Sequence, residues 1–254
     1  MRPVRRSPCE TCGAQVASKP RVLAIVPARG GSKGIPLKNL KTVAGKSLLA
    51  RTLELAQSVP EITDICVSTD HSEIRTVALS FDGVAVIDRP EELSGDRVAD
   101  SPVLQHATAE MEKSSGRPFD VVVMLQVTSP LRTIDDVRES IALLVTTGCD
   151  AVWTVSPTEL HFHPLKQLVL DEDSAMRLFD ERGLQIIARQ QLAPVFHRNG
   201  SCYALRRDFL MNADGLYSPH SSQAVISEGE RVNIDTEEDL LRAERLILQQ
   251  EDSP

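Results

Sequence analysis

Val22-Leu-Ala-Ile-Val-Pro-Ala-Arg-Gly-Gly-Ser-Lys-Gly-Ile-Pro-Leu-Lys-Asn39 begins as an apolar, partly β-branched run and ends as a basic, glycine-rich loop. The run Val22 to Val26 predicts a short buried strand, and Pro27 ends it. Gly30, Gly31 and Gly34 predict turns that a residue with a Cβ makes only at a cost. Arg29, Lys33 and Lys38 lie within ten residues of one another. A glycine-rich turn exposes backbone N–H groups, and nearby cations neutralise phosphate charge. The stretch therefore reads as a cradle for nucleotide phosphates. The adjacent glycines do not fit the dinucleotide fingerprint G-x-G-x-x-G. Ala44-Gly45-Lys46-Ser47 has the end of a P-loop, but Leu40 stands where its first glycine belongs. On these residues alone, a basic surface loop after an edge strand is the competing reading.

Outward from this stretch, strands alternate with helices. Apolar spacing predicts helices after Ser47, after Ser72, around Val103 to Met111, after Thr133 and after Asp235. Short strands are predicted at 65–68, 84–87, 121–125, 151–155, 202–205 and 225–226, with 121–125 the most apolar and so the most central. This alternation implies a mainly parallel sheet with right-handed crossovers. The rhythm breaks over 156–194. There, 165–170 and 184–187 read as two strands flanking a polar segment, an excursion suited to a dimer arm.

Composition narrows the function classes. The chain has 254 residues, enough for one large α/β domain, with 41% hydrophobic and 25% charged residues, which argues against disorder. A net charge of −8 argues against a general nucleic-acid binder. No apolar run reaches the roughly 20 residues of a membrane span. The basic start, Met1-Arg-Pro-Val-Arg-Arg, has no apolar segment behind it before Val22, so a secretory signal is not expected. Five cysteines, an odd number mostly in apolar surroundings, predict reduced thiols and a cytoplasmic location. Cys9 and Cys12 have zinc-knuckle spacing but no second pair, so residues 1–20 are expected to form a flexible tail rather than a closed metal site.

Polar residues gather where an open parallel sheet binds ligands, beyond the carboxyl ends of its strands. They are Arg29 to Asn39, Ser68 to Asp70, Arg89, and Gln126-Val-Thr-Ser-Pro-Leu-Arg132. Asp70 reads as a turn or cap residue, with a ribose or metal contact as the alternative. Gln126 suits substrate hydroxyls, although the segment after it also fits a plain helix-start turn. Asn233-Ile-Asp-Thr-Glu-Glu-Asp239 is acidic. Asp235 can serve Mg²⁺, which favours one or two carboxylates plus phosphate and water oxygens. If 232–235 is extended, Asn233 points to the same side. Capping-box spacing of Asp235 and Glu238 is the competing reading. Arg189-Gln-Gln191 and His197-Arg-Asn-Gly200 suit an anionic acceptor, because the guanidinium fork matches a carboxylate, or else form solvated loops. His161-Phe-His163 lacks a third metal ligand.

Taken together, these segments resemble the acylneuraminate cytidylyltransferases, the CMP-sialic acid synthetases and their bacterial relatives. The resemblance runs from about Val22 to Leu248. It is carried by 27–39, Val67-Ser-Thr-Asp70, Arg89-Pro-Glu-Glu-Leu93, Leu125 to Arg132, His163-Pro-Leu-Lys166, Arg189-Gln-Gln191, Arg198-Asn-Gly200 and Asn233-Ile-Asp-Thr236. It implies a Rossmann-like sheet with helices on both faces, a small dimerisation subdomain at 156–194, and a homodimer. It also implies transfer of CMP from CTP to a nonulosonic, sialic-acid-like sugar with release of pyrophosphate and use of Mg²⁺. By motif, Arg29 and Lys38 are the catalytic cations holding the triphosphate, with Ala28, Gly30, Gly31, Ser32 and Lys33 beside them. Asn39 and Arg89 lie at the cytidine, Gln126, Lys166, Arg189 and Arg198 face the acceptor, and Asp235 with Asn233 holds the metal.

Three departures stand out. Asn233 replaces a common aspartate, Arg97-Val-Ala-Asp100 replaces Thr-Ala-Ser-Ser or similar near the nucleoside, and Val127 replaces a common proline beside Gln126. They leave open a phosphonate or other non-sugar acid as acceptor, and a nucleotide-binding protein without catalysis.

Overall fold

The computed structural model describes residues 19–32 and 34–251; Lys33 and the Cys9/Cys12 pair lie outside them. From β1 (Val22–Pro27) the chain passes through a small hairpin, β2 (Thr42–Val43) and β3 (Lys46–Ser47), into α1 (Leu48–Gln57). There follow β4 (Asp64–Thr69), α2 (Ser72–Leu79), β5 (Val84–Asp88), α3 (Asp100–Ser115), β6 (Val121–Met124), α4 (Ile134–Thr147) and β7 (Ala151–Pro157). An arm carries β8 (Leu168–Leu170) and β9 (Met176–Leu178). Then come β10 (Phe196–Arg206), α5 (Arg207–Asn212), β11 (Ser222–Ile226) and α6 (Glu237–Glu251).

The main sheet has seven strands in the order β11-β7-β10-β6-β1-β4-β5. All neighbours pair in parallel except β10, which runs antiparallel to both β6 and β7. This agrees with the α/β class read from the sequence. Side chains alternate along β1 and divide the core in two. Val22, Ala24 and Val26 pack with Leu48 and Leu53 of α1, Ile74 of α2, Ile141 of α4 and Leu240 of α6. Leu23 and Ile25 face the other way, toward Leu104 of α3 and Leu210 of α5. Helices therefore cover both faces, as a parallel sheet requires.

Local details differ from the sequence reading where chemistry outweighs pattern. Ala44 and Gly45 both have positive φ, 45° and 76°, and form the two-residue turn of the β2–β3 hairpin, while Lys46 pairs with Glu54 at 2.6 Å. The apparent P-loop ending is thus a hairpin turn of the kind that favours positive φ at both central positions. Ser47 caps α1 by accepting from the Ala50 N–H at 3.1 Å. The expected strand at 184–187 is absent: Glu181–Gln185 form a 3₁₀ turn, and β9 takes its place as the partner of β8. Leu184 and Ile187 remain 78% and 93% exposed, so nothing in the single chain rewards extending that apolar run. Among the described residues, no helix is long and apolar enough to cross a membrane.

Two packed contacts fix the ends that matter for the site. Thr133 and Asp136 form a capping box on α4, and the Asp136 carboxylate also accepts from Arg231 at 3.0 Å. Both side chains of that pair are about fully buried, at 3% and 5% exposure, so the pair ties α4 to the segment that leads to Asp235. Arg231→Met leaves a buried carboxylate without its counter-charge. The expected loss is ~3–5 kcal/mol, read as a lower urea midpoint at an unchanged slope.

Candidate active site

The loop after β1 is held from several directions. The Ala28 N–H donates to the Ser68 carbonyl at 2.9 Å, the Gly30 N–H to Asp70 Oδ1 at 2.8 Å, and the Ser32 N–H to the Gly30 carbonyl at 3.1 Å. Asn39, buried, donates from Nδ2 to the Arg29 carbonyl at 2.9 Å. These contacts of the Ala28, Gly30 and Ser32 N–H groups and of Asn39 brace the loop. None of Gly30, Gly31 and Gly34 adopts a positive φ. What matters at Gly34 is space: a Cβ there would stand 2.8 Å from the Asp235 carbonyl oxygen. Leu37 does take the left-handed conformation, at φ 48°, immediately before Lys38. Strain of this kind collects at functional loops.

Lys38 joins the first loop to the last segment of the chain. Its Nζ donates to the Ile234 carbonyl at 2.6 Å and to Asp235 Oδ1 at 2.9 Å. Arg29 pairs with Asp96 at 2.8 Å and reaches the Ser94 carbonyl. Arg89 is buried, with Nε 3.2 Å from Ser68 Oγ and Nη2 2.7 Å from the Ser68 carbonyl; burial lowers its pKa from the ordinary guanidinium value. Arg29, Ser32, Lys38, Asn39, Arg89, Gln126 and Asp235 all line one open cleft of about 390 Å³. Arg29 and Asp235, at opposite ends of the sequence, thus share one side of the sheet.

A second cavity of about 460 Å³ adjoins the first, and Asp100 and Gln126 line both. Arg198 and Asn233 face this second space, together with Trp153, Tyr203 and Tyr217. The rings form a cluster: Trp153 lies 5.4 Å from Tyr203, edge to face, and 5.7 Å from Tyr217. The Arg198 guanidinium sits 5.5 Å above the Trp153 ring. Asp100 still touches solvent, yet the crowding around it raises its carboxyl pKa, with Arg89 and Arg198 pulling the other way. The sequence reading missed the three aromatics. The single tryptophan, on the second strand from one edge of the sheet, was the one available signal.

A buried hub shapes the second cavity. Asn199 Oδ1 accepts from Thr154 Oγ1 at 2.7 Å and the Ser201 N–H at 3.1 Å, and its Nδ2 donates to Ser156 and Ser227 hydroxyls. Here β10 slips in register against β7 between Arg198 and Tyr203. Asn199 is thus a structural bracket, whereas Arg198 beside it faces the cavity. Arg132 donates from Nη2 to the Gln126 carbonyl at 2.5 Å and from Nε to the Ser201 carbonyl, holding Gln126 against β10. Burial lowers Arg132 to a pKa of about 10.

Lys166 and Arg189 are exposed on the arm and line neither cavity. His163 is buried, accepts from the Leu165 N–H and contacts the Ala193 carbonyl, so it braces the arm. Val232 and Ile234 are buried while Asn233 and Asp235 are exposed, which puts the latter two on one side, as an extended segment requires. The capping box of α6 is formed by Thr236 and Asp239, leaving the Asp235 carboxylate to Lys38. No group of three or more His, Cys, Asp or Glu residues that could hold a metal ion occurs among the described residues. One carboxylate and a neighbouring amide fit Mg²⁺ only as part of a shell completed by phosphate and water oxygens.

Gly200, at φ +72°, is the glycine on which the cavity wall depends. A Cβ there would lie 2.5 Å from Gln126 Oε1 and 2.7 Å from Ser129 Oγ. Gly200→Ala is expected to cost ~1–3 kcal/mol, seen as a lower melting temperature, from backbone strain and displaced neighbours. Gly31→Ala, with open space and no positive φ, should stay within about 0.5 kcal/mol.

The chain is 31% identical over 233 residues to a CMP-N,N'-diacetyllegionaminic acid synthase of Legionella pneumophila, covering 89% of this chain and 96% of the relative. It is 30% identical over 218 residues to a pseudaminic acid cytidylyltransferase of Campylobacter jejuni, covering 86% and 92%. A solved structure of CMP-2-keto-3-deoxy-manno-octonic acid synthetase complexed with CTP superposes with a TM-score of 0.67 at 18% identity, over 91% of this chain and 99% of that one; it shares the fold. The family described as Cytidylyltransferase matches residues 23–252, and this chain belongs to it.

Proposed function

We propose that this enzyme transfers CMP from CTP to an acidic nonulosonic sugar and releases pyrophosphate. The observation that carries the reading is the pair of joined cavities. One is lined by Arg29, Lys38 and Asp235, and the other by Arg198, with Gln126 in the wall between. The relatives that support a nonulosonic acceptor are named for pseudaminic and legionaminic acids, which favours this class over a phosphonate or a binding protein without catalysis.

In this reading the triphosphate lies in the first cleft, and the acceptor carboxylate meets Arg198 in the second. An acceptor hydroxyl oxygen forms the new bond to the α-phosphorus in line with the departing pyrophosphate. Arg29 and Lys38 stabilise charge moving onto that leaving group, and Gln126 orients the acceptor. The residues therefore act by positioning and by preorganised charge. Mg²⁺ bound with the triphosphate would neutralise further phosphate charge, held from the protein side by Asp235 with Asn233 near by. To receive a triphosphate, Arg29 exchanges Asp96 for phosphate oxygens.

The arm supports a homodimer. Leu168, Leu170, Met176, Phe179, Leu184 and Ile187 are each more than half exposed there. An apolar patch of this kind marks an interaction surface. Since Lys166 and Arg189 lie outside the cavities of their own chain, an acceptor role for them requires the arm of a second copy. A cytoplasmic location accords with this chemistry.

Arg29→Ala is expected to lower turnover at least ~100-fold, the scale of losing one transition-state donor. A pyrophosphate-release assay with CTP and a panel of nonulosonic acids and phosphonates measures it, and near-normal activity would refute the assignment. Separately, sedimentation velocity should show a dimer for the wild type and a monomer for Leu184→Asp/Ile187→Asp. A wild-type monomer would remove the role given to the arm.

A further inference from the structure

We propose that Trp153 is a positioning residue for the acceptor: its ring holds the Arg198 guanidinium over the second cavity by a cation–π contact, with the fork turned to a carboxylate. This rests on the cytidylyl-transfer reading above and adds to it the residue through which Arg198 is aimed.

Arg198 is held differently from the other cations of the site. Lys38 is paired with Asp235, Arg29 with Asp96, and Arg89 is bonded to Ser68. The Arg198 guanidinium instead lies 5.5 Å from the Trp153 ring centroid, and among the described residues its side chain has no hydrogen-bond or ion-pair partner. Asp100 lines the same cavity and feels the Arg198 charge, yet the two form no ion pair. The donors of the fork are therefore left for a ligand. Ordering a long arginine costs rotamer entropy. A ring face within about 6 Å offsets part of that cost without using a donor.

Strand pairing builds the contact. Trp153 stands on β7 opposite Tyr203 of β10, and Arg198 stands opposite Val155, two residues further along β7. Positions two apart on a strand share a face, so the arginine and the indole meet on one side of the sheet. The indole is itself fixed. Its Nε1 donates to the Leu216 carbonyl at 2.9 Å, and the rings of Tyr203 and Tyr217 pack on it at 5.4 and 5.7 Å. A guanidinium resting on a fixed ring is preorganised, and such a fork loses less freedom when it takes a planar carboxylate. Trp153 is the only tryptophan of the chain, and tryptophan is the aromatic that attracts a cation most strongly.

The test is steady-state pyrophosphate release by the full chain, with pseudaminic acid and N,N'-diacetyllegionaminic acid as acceptors. It compares wild type, Trp153→Leu, Arg198→Met and the double variant, with thermal melting to confirm that each is folded. Trp153→Leu should raise the acceptor KM about fivefold or more, the scale of one partly desolvated cation–π contact, and leave the CTP KM within about twofold. In the Arg198→Met background the same change should alter the acceptor KM by less than about twofold, because the ring has no guanidinium left to hold. Effects that multiply overturn the proposal and make Trp153 a direct wall of the acceptor pocket. Equal rises in both KM values overturn it too, as a general loss of structure produces. Should Trp153→Leu fail to fold, the single tryptophan is replaced by mono- and difluorotryptophan, which keep the shape and weaken the negative ring face. The acceptor KM should then rise with each fluorine, and an unchanged KM overturns the proposal. A wild type that releases no pyrophosphate with either acid defeats the broader reading together with this one, whereas turnover with multiplying effects or no fluorine dependence defeats this one alone.

Discussion

One lysine closes the site. Lys38 reaches across 197 positions of sequence to Asp235 and also grips the Ile234 carbonyl. The Ile234 N–H in turn donates to the Thr128 carbonyl at 2.9 Å. Three segments are thereby joined: the loop after the first strand, the loop after the central strand, and the lead into the last helix. Each alone is a polar loop with a commonplace explanation. Joined, they enclose a cleft lined by cations and a carboxylate. The lysine side chain is 15% exposed and the aspartate 73%, so salt reaches the pair from the carboxylate side.

The second constraint is the reversed strand. Because β10 runs against its neighbours, its beginning lies at their carboxyl ends, where ligands bind in sheets of this kind. A strand pointing the common way would have put Arg198 and Gly200 at the opposite edge. The register slip then needs an internal acceptor and donors to satisfy the backbone and hydroxyls it strands. Asn199 supplies them, with Thr154, Ser156 and Ser227. Buried polar networks are costly when incomplete and rigid when complete. This one is well satisfied at the asparagine and holds the cavity wall in place.

The arm obeys a different logic. Its hairpin and 3₁₀ turns expose large apolar side chains that the single chain leaves uncovered. The main domain is the reverse, with its two layers of apolar side chains buried on either side of the sheet. The chain therefore divides physically into a part that completes its own core and a part whose apolar surface the single chain leaves exposed.

The sequence by itself determined the α/β class, the first strand, most helices and the gathering of polar loops at strand ends. Those are local properties, fixed by apolar period, caps and glycine. It also carried the family, through several short motifs in order. It misread 184–187 as a strand, since a short pattern does not say what it will pack against. Only the tertiary structure decided that Asp235 meets Lys38 rather than capping α6, and that Asp100 and Gln126 stand between two cavities. The aromatic wall of Trp153, Tyr203 and Tyr217 was likewise invisible beforehand. Contacts between residues far apart in sequence depend on strand order and direction, and a one-dimensional pattern does not encode these locally.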